Sequence, residues 1–189
     1  MLASASPRRA ELLRSVGLEF DVVPADIDES VRSGESPAAY VARLSAEKAR
    51  VVAGVVGPDV AVVAADTTVD VDGQILEKPF DEADARRMLA LLSGRTHLVH
   101  TGVTVLSSRN GPAEREVETV VVETAVEFVE LTSAMVDWYV GTEEPFGKAG
   151  AYAIQGAGAA LVRRVDGSVT NVIGLPLAET LELVIPPAP

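Results

Sequence analysis

Apolar residues recur at helical spacing in five segments of the chain, and most of these segments carry their own start or stop signals. Two of them open with a serine followed by proline, which is typical of a capping residue and the first helical turn. Glycine ends the first, third and fourth segments, at Gly17, Gly94 and Gly141. The five predicted helices begin at Ser6-Pro7, Ser36-Pro37, Asp81, Ser133 and Pro176.

Strand patterns lie between these helices. The run from Val60 to Ala65 is wholly apolar, as in a buried strand, and Asp72-Gly73 indicates a two-residue hairpin turn that returns through residues 74–78. Asn110-Gly111 indicates a second hairpin, and Asp166-Gly167 a third with strands at 160–162 and 169–173. Helices interspersed with hairpins and single strands predict an α/β fold, with helices flanking a mixed, twisted sheet.

Length and composition limit the classes of function. The 189 residues contain no repeat or low-complexity tract, which predicts one continuous domain over residues 1–189. A net charge of −12 opposes binding to nucleic acids or anionic lipid, and the absence of cysteine excludes disulfides and a thiolate nucleophile. No apolar run approaches the ~20 residues that span a bilayer, so we expect a cytoplasmic protein without membrane contact.

Two arginines open the first predicted helix, where the helix dipole favours anions and disfavours cations. Arg9 also lies three and four residues before Leu12 and Leu13, on the stripe that should face the core. A phosphate bound by Arg8, Arg9 and the free N–H groups of the helix would remove the conflict. The alternative is a frayed first turn with both arginines in solvent.

The second helix has a similar anomaly, because Lys48 falls on the apolar stripe between Leu44 and Val51. A lysine there must extend to solvent, pair with a carboxylate, or point into a cavity that holds an anion. The chain has only three lysines among its 16 basic residues, Lys48, Lys78 and Lys148, and all occur in short similar contexts. Because ammonium and guanidinium groups bind phosphate differently, these positions are candidates for anion binding.

Asp66 follows the buried run directly and is costly there unless it is paired or ligates a metal. Capping of a neighbouring turn is the alternative. The Asp72-Gly73 turn places Lys78 opposite Thr67, so Lys78 lies near Asp66. The pleat directs Asp66 to the other face, so convergence of Lys78 and Asp66 requires a bulge or a bent strand end.

The glycine-rich passage 143–156 ends in Gln155, whose amide could pair with the imide edge of a pyrimidine. A crossover loop with a solvated glutamine is the alternative. His97 and His100 share one predicted strand and are expected to be structural, without a two-histidine metal site.

Seven short stretches, taken together, resemble the Maf family of nucleoside triphosphate pyrophosphatases. They are Leu2-Ala-Ser-Ala-Ser-Pro-Arg-Arg9, Glu47-Lys-Ala49, Ala65-Asp-Thr67, Leu76-Glu-Lys-Pro79, residues 92–103, residues 144–156 and Gly174-Leu-Pro176. Their order along nearly the whole chain makes the resemblance specific. Maf-like chains usually carry several apolar residues before Leu-Ala-Ser, whereas Met1 alone precedes them here. We therefore expect a first strand that is either short or truncated by the assignment of the start site.

The resemblance implies an α/β fold with a deep nucleotide-binding cleft between two lobes, a divalent metal (Mg²⁺ or Mn²⁺) and a homodimer. It also implies roles by position. Asp66 matches the proposed base and, with Glu29, the metal site. Arg8, Arg9, Lys48 and Lys78 match the phosphate cleft, and Arg8, Thr67 and Gln155 match positions linked to substrate choice. The motifs favour the branch that acts on dTTP and UTP over the branch that acts on 7-methyl-GTP.

These assignments predict metal-assisted attack of water on the α-phosphorus of a nucleoside triphosphate. A non-catalytic nucleotide-binding regulator of cell division is the alternative, since it would use the same anion-binding cleft without releasing a product.

Overall fold

The computed structural model describes residues 1–108 and 116–185. Its helices are α1 (Pro7–Ser15), α2 (Pro37–Ala53), α3 (Glu82–Leu92), α4 (Ser133–Val140), α5 (Val169–Ile173) and α6 (Leu177–Val184). Its strands are β1 (Val62–Val71), β2 (Gln74–Leu76), β3 (Thr96–Ser107), β4 (Glu116–Phe128) and β5 (Val162–Asp166). Two 3₁₀ helices, η1 (Ala149–Ala151) and η2 (Gly156–Leu161), follow α4. In the described part of the chain, no helix is both long and apolar enough to cross a bilayer.

The five strands form one sheet in the order β2-β1-β3-β4-β5, and every neighbouring pair is antiparallel. Among the described residues, parallel pairing is confined to bridges that Leu2 makes with Val22 and Val63. Helices flank this sheet, so the predicted α/β class is confirmed. The short first strand expected from the sequence is the single buried residue Leu2.

The predicted run 60–65 and the first arm of the hairpin are one strand, because β1 continues unbroken through Asp66 to Val71. Asp66 therefore lies in the middle of a strand, and the expectation that it ends one is wrong. The hairpin itself is confirmed, since Val71 pairs with Gln74 and both turn residues, Asp72 and Gly73, have positive φ.

The third predicted hairpin is wrong, because residues 169–173 form α5 and β5 starts only at Val162. Ser168 caps this helix by accepting a hydrogen bond from Asn171 N at 3.2 Å. The buried Asn171 amide donates to Val99 O and Thr124 Oγ1, which fixes the turn against the sheet. Tertiary hydrogen bonds thus override the strand preference of a β-branched sequence. The turn predicted at Asn110-Gly111 lies outside the described residues.

Helix α2 packs unusually close to the sheet at Gly102, which pairs with Asp66 across β1 and β3. A Cβ atom at Gly102 would lie 2.4 Å from Val41 O, so only glycine allows this approach. One and two turns along α2, Ser45 bonds Thr104 at 2.9 Å and Lys48 reaches Asp66. The glycine therefore sets the distance between the α2 side chains and β1.

Strand β2 is short and pairs with β1 only from Val69 to Val71. Leu2 bridges to Val63, and no strand of the described chain lies on the outer side of residues 64–68 of β1. One core cluster lies around α3, α4 and the 3₁₀ helices, and others lie under α1 and α2. The open edge of β1 lies beside the cavity described next.

Candidate active site

A cavity of about 640 Å³ lies along the open edge of β1, within the size range of small-molecule sites. Its walls come from the start of α1, from α2, from the segment after β2, and from residues 147–155 and 172–174. The charged residues of the wall are five cations and three carboxylates: Arg8, Arg9, Lys48, Lys78, Lys148, Glu29, Asp66 and Glu77. A net positive cavity in a chain of charge −12 favours a small polyanion.

Lys48 lies at the centre of this charge cluster and is only 7% exposed. Its Nζ atom is 2.6 Å from Asp66 Oδ1 and 2.6 Å from Glu29 Oε1. Of the three alternatives considered for this lysine from the sequence, the structure shows pairing with carboxylates and a position in the wall of a cavity, and not extension to solvent. The structure brings Asp66, Glu29 and Lys48 together from β1, a loop and a helix.

The loop that carries Glu29 is anchored to α2. Tyr40 donates its hydroxyl to Glu29 O at 2.9 Å, and Arg43 donates to Ser30 O at 3.0 Å. Arg43 also binds Glu35 through two nitrogens, at 2.6 and 2.7 Å, and this hydrogen bonding lowers the pKa of Glu35 to about 2. Glu29 therefore projects into the cavity from a loop that is held to α2 at Glu29, Ser30 and Glu35.

Glu29 also contacts Lys78, at 3.4 Å, whereas Lys78 makes no such contact with Asp66 within the described residues. Burial opposes ionisation of Glu29, but hydrogen bonds and charge from Lys48 and then Lys78 outweigh it and lower its pKa. Lys78 is largely exposed, so its ammonium group remains available to an incoming anion.

The guanidinium of Arg9 is largely committed to the protein. It donates to Gly174 O and Ala65 O at 2.8 Å each, to Thr67 Oγ1 at 3.0 Å and to Ser4 Oγ at 3.1 Å. At most one of its five N–H groups is left for a ligand. Burial lowers its pKa, while the charge of Asp66 opposes that effect. Arg9 thus holds the open edge of β1 and contributes positive charge to the cavity.

Thr67 faces away from Asp66 and bonds Thr101 Oγ1 at 2.9 Å as well as Arg9. Both residues line the same cavity, because it extends around the open edge of the strand. Convergence therefore requires neither the bulge nor the bent strand that the pleat argument called for.

Arg8 and Lys148 extend the cationic wall. Arg8 makes one long bond to Ile173 O, at 3.4 Å, and Ser6 occupies the N-cap of α1 without a side-chain hydrogen bond. Burial and then the charge of Arg8 lower the pKa of Lys148, whose Nζ atom donates to Glu144 O. The site assignments made from sequence omit Lys148, although lysine usage singled it out. All three lysines line one cavity.

Gln155 lies at the cavity wall, exposed, just before η2. Its side-chain amide makes no hydrogen bond to any other described residue, which leaves its donor and acceptor available to a ligand.

The two histidines lie away from the cavity. His97 is buried and bonds Tyr152 Oη through Nε2 at 2.8 Å, and burial lowers its pKa to about 4. His100 lies 3.5 Å from Asp70. In the described residues, no three histidine or carboxylate groups are grouped to hold a metal.

Comparison with known proteins shows the family of the chain. The sequence model of the Maf-like protein family matches residues 1–185. The chain belongs to this family. A relative from Anaeromyxobacter dehalogenans named dTTP/UTP pyrophosphatase is 56% identical over 97% of this chain and 91% of its own. Relatives of the same name from Myxococcus xanthus and Acinetobacter baylyi are 52% and 45% identical over 97% of this chain, covering 90% and 96% of their own.

A solved nucleoside-triphosphatase / dITP/XTP pyrophosphatase from Mycobacterium abscessus shares 20% identity over 70% of this chain and 75% of its own, with a TM-score of 0.44. That likeness is too weak to support an argument about this Maf-like chain.

Proposed function

We propose that this protein hydrolyses dTTP and UTP to the nucleoside monophosphate and pyrophosphate. The observation that carries the proposal is the convergence of three lysines and two arginines around Asp66 in one cavity. A triphosphate carries the charge that such a wall would neutralise. The names of relatives that cover nearly the whole chain support this enzymatic function over a non-catalytic nucleotide-binding regulator.

Asp66 is the proposed base. Its Oδ1 accepts the hydrogen bond of Lys48, which fixes the carboxylate and leaves Oδ2 for a water molecule. The water oxygen forms a bond to the α-phosphorus, and the bond from that phosphorus to the α–β bridging oxygen breaks. Asp66 receives the proton of the water, and pyrophosphate leaves with the bridging oxygen and its electron pair.

The cations of the wall have distinct proposed tasks. Lys78 and Lys148 are placed to neutralise charge on the departing pyrophosphate, together with Arg8 and the N–H groups at the start of α1. Lys48 orients Asp66, and Arg9 supports the strand edge that carries it. For Arg9 we therefore propose that it contributes positive charge to the cavity and holds the strand edge, with at most one N–H group left to bind a phosphate.

The residues present fit a divalent metal that arrives with the nucleotide. Mg²⁺ is usually held by one or two carboxylates, waters and substrate phosphates, so a larger cluster of protein ligands is not required. Glu29 and Asp66 supply two carboxylates that approach the same Lys48 Nζ. When bound there, Mg²⁺ or Mn²⁺ would withdraw charge from the phosphates.

Gln155 is the proposed reader of the base. Its amide oxygen can accept from the N3–H of uracil or thymine while its NH₂ group donates to O4. Its unpaired amide at the cavity wall supports this assignment.

The test is a panel of dTTP, UTP, CTP and GTP with Mg²⁺ or Mn²⁺, with released pyrophosphate as the readout. We expect turnover of dTTP and UTP above the others, and a 10²–10⁴-fold lower kcat for Asp66→Asn, because asparagine cannot accept the proton. Asp70→Asn is the matched control, since Asp70 is buried on the same face of β1 but outside the cavity. Binding of UTP without pyrophosphate release by the wild type would favour the regulator instead.

A further inference from the structure

Helix η2 begins directly after Gln155, and the carboxylate of Glu144 lies against its first turn. Oε1 accepts from Gly158 N at 2.8 Å and from Tyr139 Oη at 2.9 Å, and Oε2 accepts from Ala157 N at 2.9 Å. Tyr139 in turn accepts from Ala153 N at 3.1 Å. The Glu144 carboxylate therefore links Tyr139 of α4 to the backbone on the C-terminal side of Gln155. The Tyr139 hydroxyl binds the backbone on the N-terminal side, at Ala153.

Two glycines make room for this contact. A Cβ atom at Gly156 would lie 2.3 Å from Glu144 Oε2, and one at Gly158 would lie 2.2 Å from Ala153 O. Gly156 also has φ of +77°, which side chains rarely adopt. The glycine that follows Gln155 is thus required by the approach of Glu144 as well as by the turn.

Gln155 depends on this backbone for its position, because its own amide has no hydrogen-bond partner among the described residues. The side chain is exposed at the cavity wall, so packing does not fix it either. Residues 153, 157 and 158, on both sides of it, are held by the Glu144–Tyr139 pair. The point from which the Gln155 side chain reaches into the cavity is therefore set by the backbone that this pair fixes.

We propose that Glu144 is a positioning residue for nucleobase selection, acting through the backbone of Gln155. This inference rests on the proposed function and adds to it the device that sets specificity. Uracil presents N3–H and O4, whereas cytosine presents an unprotonated N3 and an amino group. When its backbone is fixed, the Gln155 amide meets the base edge at one distance and angle, and loss of that fixed position weakens the paired hydrogen bonds to uracil that favour it over cytosine.

The test compares Glu144→Gln with Glu143→Gln and Gln155→Ala. A glutamine at 144 turns an NH₂ group towards backbone N–H donors, whereas Glu143 is an exposed neighbour that loses the same charge. We expect Glu144→Gln to lower the ratio of kcat/KM for UTP over CTP about tenfold, close to the ratio of Gln155→Ala. Glu143→Gln should keep the wild-type ratio, and inhibition by pyrophosphate should be unchanged in all three.

A second comparison covers the case in which Glu144→Gln does not fold. Gly156→Ala should lower the same ratio, while Gly17→Ala should not, because Gly17 has a similar φ of +79° with no atom within 4 Å. An unchanged ratio in both Glu144→Gln and Gly156→Ala would overturn the inference. So would a parallel loss of pyrophosphate inhibition, which would mean general disruption of the site.

Dissociation constants for UTP and CTP, measured without turnover, give the same ratio independently. A wild type that binds nucleotides but releases no pyrophosphate would contradict the proposed function alone. A wild type that hydrolyses UTP while the variants keep its selectivity would contradict the role of Glu144 alone.

Discussion

Lys48→Met tests the charge cluster at the centre of the site. The substitution keeps the length and apolar stem of the side chain but removes the cation that lies 2.6 Å from both Asp66 and Glu29. Asp66 would then lose its ion-pair partner, and Glu29 would keep only its 3.4 Å contact with the exposed Lys78. We expect the variant to be markedly less stable than the wild type at pH 7, as well as inactive in pyrophosphate release.

The size of the loss follows from the geometry. At an effective dielectric constant of about 20, unit charges 2.6 Å apart attract by about 6 kcal/mol. Desolvation offsets much of that attraction when the pair forms, and removing one partner of a buried pair costs about 3–5 kcal/mol. Because water in the cavity can replace the ammonium group, and Glu29 is 39% exposed at its side chain, we expect the lower end, about 3 kcal/mol.

Urea and thermal unfolding measure this loss, which corresponds to a fall in Tm of about 6–12 °C for a domain of this size. Lys48→Met combined with Asp66→Asn should regain about 2 kcal/mol, because the buried negative charge is then absent. The lowered pKa of Glu29 means that its ion pairs stabilise the wild type at pH 7 and that this contribution is lost as the pH falls below the ordinary value of 4.5. The difference in unfolding free energy between wild type and Lys48→Met should therefore become smaller below pH 4.5.

A loss below about 1 kcal/mol for Lys48→Met, or losses that simply add in the double variant, would refute this reasoning. Either result would mean that Lys48 reaches solvent and does not hold the two carboxylates.

Two further predictions concern the scaffold. Gly102→Ala should cost about 3 kcal/mol in unfolding and reduce pyrophosphate release, because its Cβ would lie 2.4 Å from Val41 O and displace α2 with Lys48. His97 has a pKa of about 4 against an ordinary 6.5, so the wild type should lose up to about 3 kcal/mol as the pH falls from 6.5 to 4, while His97→Gln should lose less.

Gly57→Ala is the control for the first of these, since a Cβ there meets no atom within 4 Å and should change neither stability nor activity. An equal loss at Gly57 would argue against a steric cause at Gly102. For His97, a fall in stability from pH 7 to pH 5 that is the same in wild type and His97→Gln would show that the buried imidazole does not cause it.

The candidate site could be predicted from the sequence because its residues break local rules. Each of these positions requires a partner: Lys48 on an apolar stripe, Arg8 and Arg9 at a helix start, and Asp66 after a buried run. In the structure Lys48 and Asp66 pair with each other, and all four residues line one cavity. Lysine usage also pointed to the cavity. The resemblance supplied Glu29, because no local anomaly marks a glutamate in a polar loop.

What the sequence could not reveal depends on contacts between distant segments. The helical state of residues 169–173 comes from hydrogen bonds of Asn171 to Val99 and Thr124, 72 and 47 residues earlier. The commitment of Arg9 to Ala65 and Gly174 likewise joins three separate segments. Periodicity records neither kind of partner, so it predicted a strand in the first case, and in the second it left a phosphate site and a frayed, solvated turn as the two alternatives.

The open edge of β1 has a consequence for how such a site can change over time. Two adjacent residues of a pleated strand, Asp66 and Thr67, serve one cavity from opposite sides of the sheet. Each side is supported by different elements, since α2 contacts Asp66 while α1 and α5 support Thr67 and its partner Thr101. Substitutions that remodel one wall need not disturb the other, so substrate choice can change during evolution while the proposed hydrolytic residues stay the same.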